Sequence, residues 1–476
     1  MLKSFDTSFT VSKHGIIILG DTMNQNINIG DQLTLQIKRT GINGEGIGYL
    51  NRLAIFVDQA LPNETVEVKI KEVYENRAVA DVIKLIVTSP DRKDPFCPVY
   101  ETCGGCQMQH MTYDRTLLEK RDIILKSFER YIDTKVSENL IKSTLGSDHP
   151  TYYRNKASLP VQNIKGKNRF GMYAKNSNQF IPIDGCPIQN EGINKILKSI
   201  MRLMDLHEME AIDPRTKKGY VRAIVVRESE HLKEAQVSFI MLKKSNRIEL
   251  VVNDLVKLYP NIKSVFEVIN KDLKSIGYFT EEMRLIYGSE TIEEELDGTR
   301  YVLKPEAFFQ LNTLQAHKFY MEMKRLADLK SHEIAIDAYA GIAPVSHYIH
   351  DQAKHVYAVE IDSASCDSAI QSLGKNGIMN VTVLKSDFKR ALSGLKEKKI
   401  DVMFFDPPRV GLGAETIDLI LDVKPKRIIY GSCNPSTLAK DLNVLLKSYQ
   451  LIETVPVDMF PYTSLVESVS LLTLRS

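Results

Sequence analysis

Five short apolar runs in the last third of the chain, "IAIDAYAG", "VYAVEID", "VTVLKSD", "DVMFFDPP" and "RIIYGSCN", alternate with stretches of helical length and pattern. This alternation constrains the fold more than any other feature, because strands interleaved with helices build a doubly wound parallel sheet. Such sheets bind their ligands outside the carboxyl ends of the strands. Asp337, Tyr339, Glu360, Asp387, Asp406 and Cys433 each fall at a predicted strand end. Two further apolar runs, Leu451 to Met459 and Val466 to Leu474, predict a sheet of about seven strands.

At 476 residues the chain exceeds what one core usually holds, so two or three domains are expected. Residues 1–24 read as an extension. Residues 25–88 alternate with period two between Gly-rich turns at Gly41, Gly44, Gly46 and Gly48, which predicts a small antiparallel barrel. Residues 89–298 form a mixed α+β region that opens with an amphipathic helix carrying Leu117, Leu118, Ile124, Leu125, Phe128 and Ile132. Residues 299–476 hold the α/β sheet. No apolar run approaches the length of a membrane span, and "GIIIL" lacks the cleavage site of a signal peptide. A cytoplasmic monomer with no membrane partner is expected. A net charge of +2 is too small to imply nucleic acid, so that inference must rest on local patches.

An acid about twenty positions after the first strand's turn suits ribose hydroxyls, since a carboxylate accepts both hydrogen bonds of a diol, and Glu360 fits. The turn "DAYAGIAPVS" holds only Gly341 and lacks the three glycines that admit a pyrophosphate, which favours a nucleoside without phosphates such as S-adenosylmethionine. In "FFDPPRVGLG", Asp406 and two prolines make a rigid ledge on which a planar base can lie. Cys433 alone at a strand end reads as packing. Before the helix start "NPSTLAKDL", and beside a methyl donor and a base ledge, it reads as a reactive group whose thiolate the helix end favours.

Cys97, Cys103 and Cys106 have the spacing C-x5-C-x2-C, and Cys186 offers a fourth thiolate. Chemistry alone leaves an iron-sulfur cluster and a structural zinc equally open. Residues 152–180 carry Arg154, Lys156, Lys165, Lys167, Arg169 and Lys175 with no acid, interleaved with Tyr152, Tyr153, Phe170, Tyr173 and Phe180. That mixture suits a surface that neutralises phosphates and stacks unpaired bases. A solvated strand face is the alternative.

Taken together, "GINGEGIGY", "CPVYETCGGCQMQH", "YYRNKASLPV", "FFQLNTLQA", "VYAVEID", "FFDPPRVGLG", "YGSCNPSTLAKDL" and "DMFPYTSLVESVSLL" resemble the RNA uracil-5 methyltransferase family, in its iron-sulfur type that modifies 23S rRNA. The resemblance implies an N-terminal TRAM barrel, a central iron-sulfur domain and a Rossmann-like class I methyltransferase domain. It implies that Cys97, Cys103, Cys106 and Cys186 hold a [4Fe-4S] cluster and that Gln310, Tyr339, Glu360 and Asp406 contact S-adenosylmethionine. It implies Cys433 as nucleophile and Glu467 as general base. Two segments depart from the family pattern. Ala340, Ala343 and Pro344 stand where the family's first turn has Cys, Gly and Thr, and Leu465 stands where it often has His. The methyl group of Ala343 and the donor lost at Pro344 are expected to weaken cofactor binding. Competing expectations are the same reaction on tRNA, amino-group methylation of adenine, and a non-catalytic RNA-binding or assembly protein.

Overall fold

A computed structural model describes residues 27–273, 275, 277–395 and 397–475. The extension expected over residues 1–24 lies outside them. The chain divides into two compact units: one runs to Asp94 and takes in His110–Thr112, and the other comprises Pro95–Gln109 and the chain from Tyr113.

In the first unit β1 (Gln32–Thr40), β2 (Gly46–Leu50), β3 (Leu53–Val57), β4 (Thr65–Tyr74) and β5 (Arg77–Val87) close into a barrel in the order β1-β2-β3-β5-β4. Period two sets its inside: Leu33, Leu35 and Ile37 of β1 and Val66, Val68 and Ile70 of β4 are buried. One pair departs from the antiparallel expectation, since β3 and β5 run parallel. The reason is arithmetic. An odd number of strands cannot alternate in direction around a closed ring. Glu64 lies buried at the barrel's end, where the Arg92 guanidinium grips both carboxylate oxygens at 2.5 and 2.7 Å and the Leu61 N–H donates at 2.8 Å.

The second unit begins with the cysteine loop and α1 (Tyr113–Tyr131), whose apolar face carries Ile123, Ile124 and Phe128 inward. Next come β6 (Lys156–Ile164), β7 (Lys167–Tyr173), β8 (Phe180–Pro182), α2 (Glu191–Leu206), β9 (Val221–Glu228), β10 (Ala235–Met241), α3 (Arg247–Leu258), β11 (Ile262–Ile269) and β12 (Met283–Gly288). Their strands form a seven-stranded sheet in the order β12-β11-β10-β9-β6-β7-β8. Ile193, Ile196, Leu197 and Ile200 of α2 and Val251 and Leu255 of α3 share one buried cluster with this sheet. A hairpin of β13 (Ile292–Leu296) and β14 (Thr299–Leu303) leads to α4 (Thr313–Ala327).

The remaining elements are β15 (Ile334–Ala338), α5 (Pro344–Ile349), β16 (His355–Glu360), α6 (Ser363–Lys375), β17 (Val381–Lys385), α7 (Phe388–Gly394), β18 (Val402–Phe405), α8 (Gly413–Val423), β19 (Arg427–Ser432), α9 (Pro435–Leu445), β20 (Tyr449–Val457) and β21 (Glu467–Leu474). They make the doubly wound sheet, in the order β17-β16-β15-β18-β19-β21-β20, with β15 to β19 parallel and the last two strands antiparallel. Buried on both faces, Val402 to Phe405 and Ile428 to Tyr430 are continuous apolar runs. A Cβ at Gly431 would stand 2.5 Å from the Met323 side chain and 2.7 Å from that of Phe319 on α4, so a larger residue there would have to displace both. Among the described residues no helix is long and apolar enough to cross a membrane.

Candidate active site

The strand order opens the site. β15 lies between β16 and β18, so crossovers leave it in opposite directions and a crevice forms over the carboxyl ends. Asp337, on β15, accepts the Ser346 N–H at 3.0 Å and its hydroxyl at 2.7 Å, while burial pushes its carboxyl up to about 7. The following turn passes through Tyr339, Gly341 and Ala343 at φ +61°, +56° and +61°. The left-handed backbone at Ala343 explains a glycine preference there, and an L-residue costs roughly 1 kcal/mol in that conformation. Pro344 occupies the first position of α5, where the N–H has no intrahelical partner, so the expected loss of a donor costs the helix nothing.

Gly341 N–H donates to Glu360 Oε2 at 2.8 Å, and the N–H groups of Ile361 and Asp362 donate to Oε1 at 2.7 Å each. Of roughly four lone-pair sites on a carboxylate, three are taken, which fixes the group and leaves Oε2 one to offer. Tyr339, Glu360, Asp387, Phe388 and Thr416 line a cavity of about 220 Å³. Gln310 and Asp406 are not part of its wall. Gln310 is buried ahead of α4, its carbonyl accepting Asn155 Nδ2 at 2.9 Å. The charge of Asp406 nevertheless reaches Asp337, as does that of Glu360.

Cys433 follows β19 directly, and β21 runs antiparallel beside that strand with Ser432 opposite Ser468. The register therefore sets Glu467 next to Cys433, with Asp406 at the end of the adjoining β18. Burial pushes the Glu467 carboxyl up to about 8; Asp406 adds to the rise and Arg409 and Lys120 oppose it. Burial raises Asp406 to about 6. Cys433 is pushed up to about 12, first by burial, then by Glu467 and Asp406, against Arg409. The expectation that the helix start favours thiolate is thus corrected. Asn434 spends its side chain capping the Ser436 N–H at 3.1 Å, and two nearby acids outweigh what remains of the helix end. Of the predicted proline ledge, Pro408 is exposed and Pro407 buried. The ledge is tied to α9 through the Arg409 carbonyl, which accepts Asn434 Nδ2 at 3.0 Å and Thr437 Oγ1 at 3.2 Å.

Sequence reasoning missed Arg409 and Lys120. Arg409 had a signal, its place directly after Asp406 and the prolines. Lys120 had a weaker one, a cation on the helix face shared with Ile123 and Ile124.

The four predicted metal-ligating cysteines, Cys97, Cys103, Cys106 and Cys186, line one cavity with Gln109, Arg154 and Gln189. Burial raises the thiols of Cys103 and Cys186 and pushes Cys106 up to about 12, with Cys186 adding to the rise of Cys106. None of the four is in a disulfide. Among the described residues no three or more His, Cys, Asp or Glu side chains converge as a ready-made site for a single metal ion. The basic and aromatic stretch divides. Lys165, Lys167, Arg169 and Lys175 are exposed on and after the β6–β7 hairpin, as are Tyr152 and Tyr173. Tyr153 and Phe170 are buried instead, Arg154 faces the cysteine cavity, and Lys156 donates to the Pro305 carbonyl at 3.1 Å. Only part of that stretch is therefore open to solvent.

The chain matches the family described as tRNA (Uracil-5-)-methyltransferase over residues 112–475 and the TRAM domain over residues 28–83. It is 37% identical over 447 residues to an uncharacterized RNA methyltransferase of Halalkalibacterium halodurans, covering 93% of this chain and 96% of the relative. It is 36% identical over 458 residues to one of Listeria monocytogenes, covering 95% and 100%. The structure of Pyrococcus abyssi tRNA (uracil-54, C5)-methyltransferase in complex with S-adenosyl-L-homocysteine shares the fold, with a TM-score of 0.71 at 24% identity over 92% of this chain and 99% of that one.

Proposed function

The chain belongs to the tRNA (uracil-5-)-methyltransferase family and carries a TRAM domain, and on that premise we propose that it methylates C5 of a uridine in RNA through a covalent bond from Cys433 to C6. The observation that carries this reading is the meeting of Cys433, Glu467 and Asp406 at one end of the doubly wound sheet. C5 of uracil is a weak nucleophile. Cys433, once deprotonated, adds to C6 and drives electron density onto C5, which would then take the methyl of a sulfonium donor as the methyl–sulfur bond breaks and leaves its electron pair on sulfur as a neutral thioether. Glu467 as carboxylate takes the proton from C5, the C5–C6 double bond re-forms, and the C6–S bond breaks with its electron pair returning to sulfur. Arg409 is the cation that pulls both Cys433 and Glu467 toward their charged forms.

S-adenosylmethionine, when bound, supplies an electrophilic methyl group. The cavity beside the fixed Glu360 carboxylate suits its nucleoside, with Oε2 free for one ribose hydroxyl. Tyr339 and Glu360 are assigned to that part, and Gln310 and Asp406 are kept as contacts on the family resemblance. The same reading gives Cys97, Cys103, Cys106 and Cys186 to a [4Fe-4S] cluster, since four thiols around one cavity form its donor set. Zinc uses the same donors. Visible absorption with iron and zinc analysis of the purified protein separates the two.

23S rRNA is the assigned substrate, on the cysteine and TRAM motifs. Transfer RNA is the second reading, favoured by the matched family and by the fold shared with a tRNA enzyme. Mass-spectrometric mapping of 5-methyluridine in both RNAs, with and without the protein, decides between them. Cys433→Ala is expected to abolish methylation and covalent RNA adducts together. Full activity in that variant overturns the mechanism.

A further inference from the structure

Between β20 and β21 the chain is irregular for nine residues, Asp458 to Val466, and its carbonyls are captured one after another. Asp458 O accepts Gln315 Nε2 at 3.0 Å and Met459 O accepts Asn312 Nδ2 at 3.2 Å. Phe460 O accepts Lys120 Nζ at 3.0 Å, and Pro461 O accepts the Tyr153 hydroxyl at 3.1 Å. Tyr462 O accepts the N–H groups of Gln107 and Met108 at 3.2 and 3.0 Å. Five consecutive carbonyls are thus held from four parts of the unit: the start of α4, α1, Tyr153 and the cysteine loop. Two side chains complete the grip. Gln107 Oε1 accepts the Ser464 N–H at 3.2 Å while its Nε2 donates to the Gly104 carbonyl at 2.8 Å, so one side chain spans the cysteine loop and the segment. Lys120, fully buried, is ion-paired with the equally buried Asp458, which also accepts the Tyr113 hydroxyl at 2.7 Å.

Holding a cation and an anion in a dry interior is expensive, and an apolar pair of the same volume often serves stability as well. The pair therefore calls for a reason beyond stability. The segment it anchors delivers Glu467, the first residue of β21, to Cys433, and the charge of Lys120 reaches Glu467.

We infer that residues 458–466 are a preorganised mount for Glu467, that Lys120 and Gln107 are positioning residues for removal of the C5 proton, and that the cysteine loop acts on catalysis through this base rather than through the methyl donor. The inference rests on the reading of Glu467 as the general base. It assigns the cysteine loop to the last chemical step. Misplacing a reacting group by about 1 Å costs on the order of a hundredfold in rate, whereas steps that do not use the group are spared. The groups facing Glu467 are Asp406, Arg409, Lys120 and Cys433. In the adduct Cys433 is a thioether and no longer titrates, so the pH profile of adduct resolution reports on Glu467 among the other three.

The test uses the full-length holoprotein with transcripts of 23S rRNA, and tRNA transcripts in parallel. Single-turnover formation and disappearance of the methyl-labelled covalent adduct are followed on denaturing gels. The variants are Gln107→Ala, the double variant Lys120→Met with Asp458→Leu, which leaves no unpaired buried charge, and Glu467→Gln. Adduct formation is expected to stay within about twofold of wild type, while resolution slows roughly tenfold or more in both positioning variants. In the double variant the pH midpoint of resolution moves upward, because a cation that stabilises the carboxylate has gone. A merely structural role predicts equal losses in formation and resolution with an unmoved midpoint, and that result overturns the inference. So does wild-type resolution in Gln107→Ala, which keeps the test decisive if the double variant does not fold. If Glu467→Gln accumulates adduct but the positioning variants do not, the mount fails while the base stands. If Glu467→Gln accumulates none, the base assignment itself is lost.

Discussion

Glu64 in the barrel and Glu467 in the α/β sheet are both buried glutamates, and they are treated in opposite ways. Glu64 is matched on both oxygens by Arg92 and by backbone N–H groups, and although burial works against the charge, these partners bring its carboxyl below the ordinary value. Glu467 has cations within electrostatic reach, yet burial and Asp406 dominate and hold it near 8. A carboxylate that only has to hold a structure together is neutralised on the spot. One proposed to take a proton, Glu467, is left with its ionisation undecided near neutral pH.

The comparison breaks most visibly if the proton of Glu467 does not matter. Glu467→Gln is expected to cut multiple turnover by roughly a hundredfold to ten-thousandfold, the range of a general base, with methylated adduct accumulating on gels. An adduct-free, active variant removes the distinction. Next in size is the structural glutamate. Arg92→Ala leaves a buried carboxylate unpaired and should cost the barrel about 3 to 5 kcal/mol in chemical denaturation. Loss of less than about 1 kcal/mol would class the pair with exposed ion pairs.

A third test uses pH, where the two glutamates have opposite signs. Glu64, with its folded value lowered, contributes stability present above its unfolded value of 4.5 and lost as pH falls through the folded one. Glu467, raised from 4.5 to about 8, binds its proton more tightly when folded, so stability falls as pH rises across that window. Glu64→Gln should therefore destabilise most near neutrality and least in acid, and Glu467→Gln should stabilise increasingly up to about pH 8. Melting temperatures between pH 4 and pH 9 read both. In the wild type, adduct resolution should climb with pH through about 8.

The smallest effect concerns Glu360, a carboxylate fixed by three N–H groups, one of them on Gly341 in the turn that ends at Ala343. Ala343→Gly relieves a left-handed alanine worth roughly 1 kcal/mol. S-adenosylmethionine should then bind up to a few-fold more tightly by calorimetry, since 1.4 kcal/mol is tenfold. Unchanged or weaker binding would show that this turn is not what limits the site.

Much of this was legible in the residues. The strand ends of the α/β sheet appear as apolar runs closing on Asp337, Glu360, Asp406 and Cys433, because a parallel strand buried on both faces must be apolar throughout and can turn polar only where it emerges. The barrel was legible for the complementary reason, since a strand with one buried face alternates. The parallel β3–β5 pair was not, because pairing partners leave no mark on a single strand's pattern. The basic stretch at 152–180 misled in part: Tyr153, Lys156 and Phe170 have the composition of a nucleic-acid surface, and only the fold shows that Tyr153 and Phe170 are buried and that Lys156 is bound to the Pro305 carbonyl.

By itself the sequence determined the classes of element, the order in which they come, and the residue types available at each strand end, all consequences of local periodicity. Tertiary structure alone decided that β21 returns antiparallel beside β19, setting Glu467 against Cys433 and Asp406, and that the charge of Lys120, far back along the chain on α1, reaches Glu467. The same packing overturned the thiolate expectation for Cys433. A helix end is a local feature that a sequence displays, whereas the desolvation and the neighbouring carboxyls that push the thiol up to about 12 exist only once distant strands have met.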